Sequence, residues 1–218
     1  MEVISVCVGR PKSLSVGGKS VESAIVKQSV EQSVYLAQEN FEGDEQADLV
    51  HHGGPDKAVC AYPHEHYAYW EAALNIELPA NAFGENLLLR GLPESDVRIG
   101  DTFRVGEAIL QVSQPRIPCG KISMRNGVPH FAQKFKETGY TGYYLRVLQE
   151  GAVAAKPPIE RLERGTGLTI AEVNQILFHE NEDPDRLRLI LHEQSAAKSL
   201  HDMVAKQVAR LEKEGASE

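Results

Sequence analysis

Cysteine is scarce in this 218-residue chain, with only Cys7, Cys60 and Cys119 present. No two of them form a CxxC pair, so spacing alone assembles no disulfide framework, zinc knuckle or iron-sulfur cluster, and at least one thiol stays unpaired. Long apolar runs are also missing: none approaches the roughly 20 residues that a membrane helix requires. The opening residues, MEVISVCVGRPKSL, lack the basic region, apolar region and small-residue cleavage site of a secretory signal. These absences predict a soluble, cytoplasmic protein. Basic charge is in deficit, with 23 Lys plus Arg against 31 Asp plus Glu and a net charge of -8. A surface of that sign repels polyphosphate unless a local basic pocket overrides it, which argues against general nucleic-acid or membrane-surface binding. What is present suffices for a core: 42% of residues are hydrophobic and 25% charged, enough to exclude disorder and to bury roughly 70% of the unfolded surface.

Residues 1 to about 62 alternate short β-type runs with turn residues, as in Val3, Ile4, Val6 and Val8, and again in the run Ala58 to Tyr62. Pro63 then opens a segment in which Tyr67, Trp70 and Leu74 fall at helical spacing. Strand patterns return in FGENLLL, DTFRV and AILQVSQ, a helix is predicted over about 129–138, and GYYLRVL and IERLER again read as strands. Strands this short and frequent do not suit repeated βαβ units and favour a mainly antiparallel β-barrel with a few peripheral helices. After about Gly165 the pattern turns helical. Thr169 and Glu172 have capping-box spacing, Asp183-Pro184 opens a second helix and Ser195 a third. The expectation is three helices near 169–180, 184–193 and 196–213. The chain thus divides into a barrel domain, 1–165, and a small three-helix domain, 166–218, with no internal repeat.

Several motifs carry polar chemistry. VGGKS at 16–20 ends like a phosphate-binding loop, but that pattern needs glycine where Ser13 stands, so a Gly-Gly hairpin turn explains it better. HHGGPDK at 51–57 gathers His51, His52, Asp56 and Lys57 around a Gly-Gly-Pro turn and reads either as a pocket wall or as a capped turn with surface histidines. Adjacent histidines rarely ligate one ion together, and His64 with His66 do not share a helix face, so zinc is disfavoured. In FGENLLLRG, Glu85 and Asn86 either orient a substrate or close a turn, and taken alone the turn is the simpler reading. QPRIPCGKISMR at 114–125 carries the strongest chemistry. Cys119 has Arg116 and Lys121 within a few residues, and nearby cations favour the thiolate, the form that attacks electrophiles and binds soft metals. Prolines at 115 and 118 stiffen the segment, and Gly120 allows close approach to the backbone. The bland alternative, a small buried hydrophobe, suits Cys7 and Cys60 better.

Taken together, FEGDEQADLVHHGGPDKAVCAYPHEHYAYW, FGENLLL, IGDTFRVGEAILQVSQPRIPCGK and the trailing helices resemble the MOSC family, named after the C-terminal domain of molybdenum cofactor sulfurases. The likeness is greatest to its YiiM-type branch, which carries a three-helix domain after the barrel. It covers nearly the whole chain and rests on the order and spacing of four motifs.

The resemblance implies a barrel that binds molybdenum cofactor (molybdopterin), with Cys119 bonded to molybdenum. A loop thiolate beside basic groups is a suitable ligand for that soft centre. Arg116, Lys121, Arg125 and Lys57 are candidates for the pterin phosphate, with Asn86 in the same cofactor-binding set. The branch is associated with reduction of N-hydroxylated compounds, such as hydroxylamino purines, to amines, which detoxifies mutagenic base analogues. That reaction takes two electrons and two protons and releases water. His51, His52, Asp56 and Glu85 are the candidate proton donors; a histidine is the natural choice near neutral pH, and the sequence does not select between the two. No flavin, nicotinamide, haem or iron-sulfur motif is present, so the electrons are expected from a separate reductase. The C-terminal helices are candidates for its docking surface, for a homodimer contact, or for a lid on the barrel. Two alternatives use the same residues: a sulfur carrier with a persulfide on Cys119, and a carrier that stores the cofactor without turnover.

Overall fold

The β-branched runs separated by turn residues fold as twelve strands among the residues described by the computed structural model, 1–16, 19–48, 53–156 and 158–215. In chain order they are β1 (Glu2–Val8), β2 (Lys12–Val16), β3 (Lys19–Ser23), β4 (Gln28–Val30), β5 (Val34–Leu36) and β6 (Val59–Pro63). There follow β7 (Leu87–Arg90), β8 (Thr102–Val105), β9 (Ala108–Pro115), β10 (Tyr143–Gln149), β11 (Gly151–Val153) and β12 (Ile159–Glu163). Eight of them build one sheet in the order β12-β8-β9-β10-β6-β7-β1-β4, while β2 pairs with β3 and β5 with β11. Every pairing in the large sheet is antiparallel except β6 with β7, which run parallel with Ala61 opposite Leu87.

The antiparallel character matches expectation, but the expected barrel is not closed by a strand pair. Among the described residues β12 and β4 are the two ends of the sheet and do not pair with each other. The sheet instead curls until Glu2 makes a single bridge to Pro158 and the Ile159 N–H donates to the Met1 carbonyl at 3.1 Å. The physical reason lies in β1: β7 occupies one side of it, and β4 takes the other at Val6 to Val8, so only its first residues remain for the returning chain.

Burial explains the sheet's placement. All five residues of β6 are buried, the pattern of a strand covered on both faces. Within the curl, Val6, Leu87, Leu110, Val112 and Leu145 are at most 2% exposed, and each such side chain contributes about 1.5–3 kcal/mol. A second, aromatic cluster includes Tyr62, Trp70, Phe83, Phe131 and Phe135. Trp70 and Phe135 stack with centroids 4.9 Å apart, and the Trp70 Nε1–H donates to the Tyr62 hydroxyl at 2.7 Å, satisfying the indole inside the cluster.

Six helices accompany the strands: α1 (Glu65–Leu74), α2 (Gly120–Asn126), α3 (Phe131–Thr138), α4 (Ile170–His179), α5 (Pro184–Leu191) and α6 (Lys198–Gly215). Pro63 ends β6 opposite Leu89 rather than opening α1. The predicted C-terminal helices are all present. Thr169 and Glu172 form both halves of the capping box, and the Asp183 carboxylate accepts from the N–H groups of Asp185 and Arg186. Their apolar stripes face the sheet: Ile170, Val173, Ile176, Leu187, Ile190 and Val204 join the same continuous core as the interior of the curl. Among the described residues no helix is long and apolar enough to cross a membrane.

Candidate functional site

Cys119 owes its position to the end of β9. After Pro115 the chain leaves the sheet, and the Arg116 N–H is tied to the Gly142 carbonyl at 3.0 Å. Gly142 has a φ of +72°, and a Cβ there would lie 2.5 Å from the Ala61 carbonyl oxygen, so only glycine permits this approach. Three residues later Cys119, in extended conformation, precedes α2 with its side chain half-buried. Helix α2 was not anticipated from sequence, where 114–125 reads as a stiffened loop. Its start has no side-chain cap hydrogen bond to announce it.

The thiol borders two adjoining cavities. The inner one, about 80 Å³, is lined by Arg116, Cys119 and Lys121 and by Lys27, Asp44 and Asn86, with Cys60 and Tyr144. The outer one, a cleft of about 800 Å³, shares Cys119, Lys121, Lys57 and Tyr144 with the first and continues to α6.

The part of the lining formed by Lys27, Asp44 and Asn86 is a closed network. Asp44, 3% exposed, pairs with the Lys27 ammonium, accepts the Gly9 N–H at 2.8 Å, and takes an Asn86 amide hydrogen bond at 2.9 Å. Asn86 also donates to the Cys7 carbonyl at 3.2 Å and accepts the Cys60 N–H at 3.1 Å, so its amide is fully engaged. On the thiol side, Arg116 is 7% exposed and its buried Nη1 has no hydrogen-bond partner among the described residues. Burial acts to lower the Arg116 pKa, but the acidic groups around it, Cys60, Tyr144, Cys119 and Glu85, outweigh that effect and hold it above its ordinary value. Burial pushes the Cys60 thiol and the Tyr144 phenol up, so both keep their protons. Burial also lowers the Lys57 ammonium, against the opposing pull of Asp56 and Asp48.

The structure therefore gathers five of the sequence-predicted residues, Cys119, Arg116, Lys121, Lys57 and Asn86, around one pocket. Others are placed elsewhere. Asp56 is held by Arg146 at 2.9 Å and accepts the Lys198 N–H at the start of α6 at 3.1 Å, so its carboxylate braces the helix and lines neither cavity. Glu85 is fully buried, accepts the Tyr67 hydroxyl at 2.5 Å and the Phe83 N–H at 3.2 Å, and lines neither cavity. Burial raises its pKa despite those donors. Arg125 lies in the last turn of α2, outside both linings, with Nε buried and unpartnered. His51 and His52 lie outside the described residues. Sequence reasoning missed Lys27, Asp44, Cys60 and Tyr144 as pocket residues. Asp44 sits inside the quoted FEGDEQAD string and carried a signal, a carboxylate directly after a glycine turn, whereas Lys27 and Tyr144 carried none.

Comparison with known proteins agrees with this geometry. A family model described as MOSC domain matches residues 48–160. The chain is 46% identical over 210 residues to the protein YflK of Bacillus subtilis, covering 96% of this chain and 95% of that one. A protein named reductase from Gibberella moniliformis is 35% identical over 166 residues, 74% of this chain but 29% of that longer protein. The crystal structure of YiiM from Geobacillus stearothermophilus superposes with a TM-score of 0.80 at 36% identity, covering 95% of this chain and 98% of that one. On these matches the chain belongs to the MOSC domain family, as a YiiM-type member.

Proposed function

We propose that the inner cavity and the cleft that adjoins it together receive molybdenum cofactor with Cys119 as the protein's ligand to the metal, and that the protein reduces N-hydroxylated compounds to amines with electrons from a separate reductase. The observation that carries this reading is the pairing of a half-exposed thiol with a buried guanidinium whose Nη1 has no partner. The donor set fits the group. Among the described residues no cluster of three or more His, Cys, Asp or Glu side chains could cage a metal ion, which suits a metal that arrives in its own chelate and needs one protein thiolate. The cofactor, when bound, supplies two-electron redox chemistry.

The remaining roles fall to the chain itself. Arg116 and Lys121 balance the negative charge of a phosphate-bearing ligand within an acidic protein. Lys57, whose acidity burial moves toward neutrality, is the group in both linings suited to give a proton to a leaving hydroxyl. Tyr144, kept protonated, offers a hydrogen-bond donor beside it. The division near residue 165 belongs to the same proposal: residues 1–165 supply the inner pocket, and the later helices supply a face for the electron donor. The relative that bears the name reductase supports the oxidoreductase class.

The test is metal analysis with pterin fluorescence on protein made in cells that synthesise the cofactor, comparing the wild type with Cys119→Ser. Near-stoichiometric molybdenum that disappears in the variant is the expected result. Absence of both molybdenum and pterin from the wild type would overturn the proposal and favour a persulfide carrier, recognisable by a reducible extra sulfur on Cys119.

A further inference from the structure

A third cavity, of about 260 Å³, shares no lining residue with the two that meet at Cys119. It lies where α4 packs beside the end of α3, at a junction between the C-terminal helices and the rest of the chain. Ala171, Asn174, Gln175 and His179 recur at the three- and four-residue spacing of one helix face and form its α4 wall. His66 also lines it. This histidine, a poor zinc ligand by its spacing from His64, places its Nε2 2.5 Å from one oxygen of Glu94, whose other oxygen accepts the Gly142 N–H at 2.8 Å. Both side chains are buried, and the His66 ring stacks on Tyr140 with centroids 3.9 Å apart. That part of the lining is fixed in place.

Other acceptors of the lining stay open. Asn174 is 1% exposed, and its Nδ2 donates to the Gly139 carbonyl at 2.8 Å and the Thr141 hydroxyl at 2.9 Å. Those two bonds set the orientation of the amide and leave Oδ1 buried with no partner among the described residues. A buried acceptor without a donor is costly, and a ligand N–H removes that penalty. Glu137, exposed in the last turn of α3, is engaged among the described residues only by the Gln133 amide, at 3.4 Å. Apart from the Tyr140 phenol, the ionisable groups of the lining are Glu94, Glu137, His66 and His179; Lys134 and Lys136 of α3 lie outside it. Two carboxylates with no lysine or arginine favour a positively charged ligand. Among the described residues no three His, Cys, Asp or Glu side chains converge to hold a metal ion, so the spread of acceptors suits an organic cation with several donor atoms. The volume lies just below the range of drug-sized sites and limits that cation to a small one.

We infer that this cavity is a second ligand site, for a small organic cation of the guanidinium type, which donates to Asn174 Oδ1 and to the Glu137 carboxylate. A guanidinium combines positive charge with a planar set of N–H donors that matches a carboxylate. The site stands independently of the chemistry at Cys119.

The probe is ethylguanidinium chloride, titrated at millimolar concentration into full-length, nitrogen-15-labelled protein while the amides are followed by NMR. Tetramethylammonium chloride supplies the same charge without donors. The thiol pocket has carboxylates of its own, Asp44, Glu45 and Asp48, so the position of the shifts distinguishes the two places. Ethylguanidinium should move the amides of Gly139, Thr141 and Asn174 saturably, and tetramethylammonium should leave them in place. Asn174→Leu should weaken binding about ten-fold, through loss of a charge-assisted hydrogen bond. Glu137→Gln, at an exposed position, should weaken it about three-fold and decides the matter if the buried substitution prevents folding. No saturable shift, shifts confined to residues 44–48, equal responses to the two cations, or an unchanged affinity in Glu137→Gln would overturn the inference.

Discussion

The two walls of the inner pocket are built on opposite plans. On the Asp44 side, Lys27, Asp44 and Asn86 spend their hydrogen bonds on one another, on Gly9 and on the backbone of Cys7 and Cys60. On the Cys119 side, a thiol is half-exposed and a buried guanidinium nitrogen has no partner. The first wall is rigid because breaking any one link strands a buried charge or amide. The second is held by the backbone, through Gly142, and keeps its side-chain capacity for a ligand. Placing fixed and unspent polar groups in one pocket gives a ligand a stiff surface to register against and open valences to bind.

If the walls differ in this way, substitutions should separate stability from binding. Asp44→Ala should have the largest effect, a loss of about 3–5 kcal/mol in urea unfolding, because it leaves the Lys27 ammonium buried without its counter-charge. A variant as stable as wild type would erase the distinction. Asn86→Ala should cost about 1–3 kcal/mol by stranding the Cys60 N–H and one oxygen of Asp44. Arg116→Met should shift stability by less than about 1 kcal/mol, since a buried charge lacking full partners can be replaced by an apolar chain at little cost. On the proposed reading, the same variant should lose bound pterin and molybdenum, assayed together with its unfolding curve. Cys119→Ser should change stability by no more than about 0.5 kcal/mol.

The thiols give the finest test. Burial pushes Cys7 up to about 11, so at pH 8 iodoacetamide should label Cys119 and spare Cys7, as peptide mapping would show. A raised folded-state pKa means that the native protein holds this proton after the unfolded chain has released it. Stability should therefore fall as pH rises from 9 toward 11, by up to about 1.4 kcal/mol per unit from this group. The pH slope of Cys7→Ala should be flatter by that amount, and identical slopes would remove the assignment.

How far the sequence reveals this molecule depends on whether information is local. The Cys119 segment was legible because cation, proline, glycine and thiol lie within a few residues, and Thr169 with Glu172 declared a helix start by spacing alone. Lys27 and Tyr144 were not legible, because each stands beside or within a strand with no motif around it. The chain of pairings β10-β6-β7-β1-β4 brings those stretches together. Asp56 and Glu85 misled in the opposite way. Both stand in polar motifs, yet one was needed to brace α6 and the other to satisfy Tyr67. The antiparallel pattern was visible in strand length and frequency, whereas the parallel β6–β7 pair and the incomplete closure depend on which edges of β1 are already taken.

That parallel pair governs the order in which the molecule can be made. Antiparallel neighbours can close through a short turn, but parallel ones require the chain to travel back along the sheet, here through residues 64–86. The pocket draws on Lys27, before that connection, and on Tyr144, well after it, so a growing chain does not hold it as a finished unit until β10 has been synthesised and seated. Distant pairings of this kind form late and slowly. Capture of a ligand at Cys119 is thus an event that follows folding and cannot guide its early steps. A cell short of ligand would accumulate folded, empty protein rather than arrested chains.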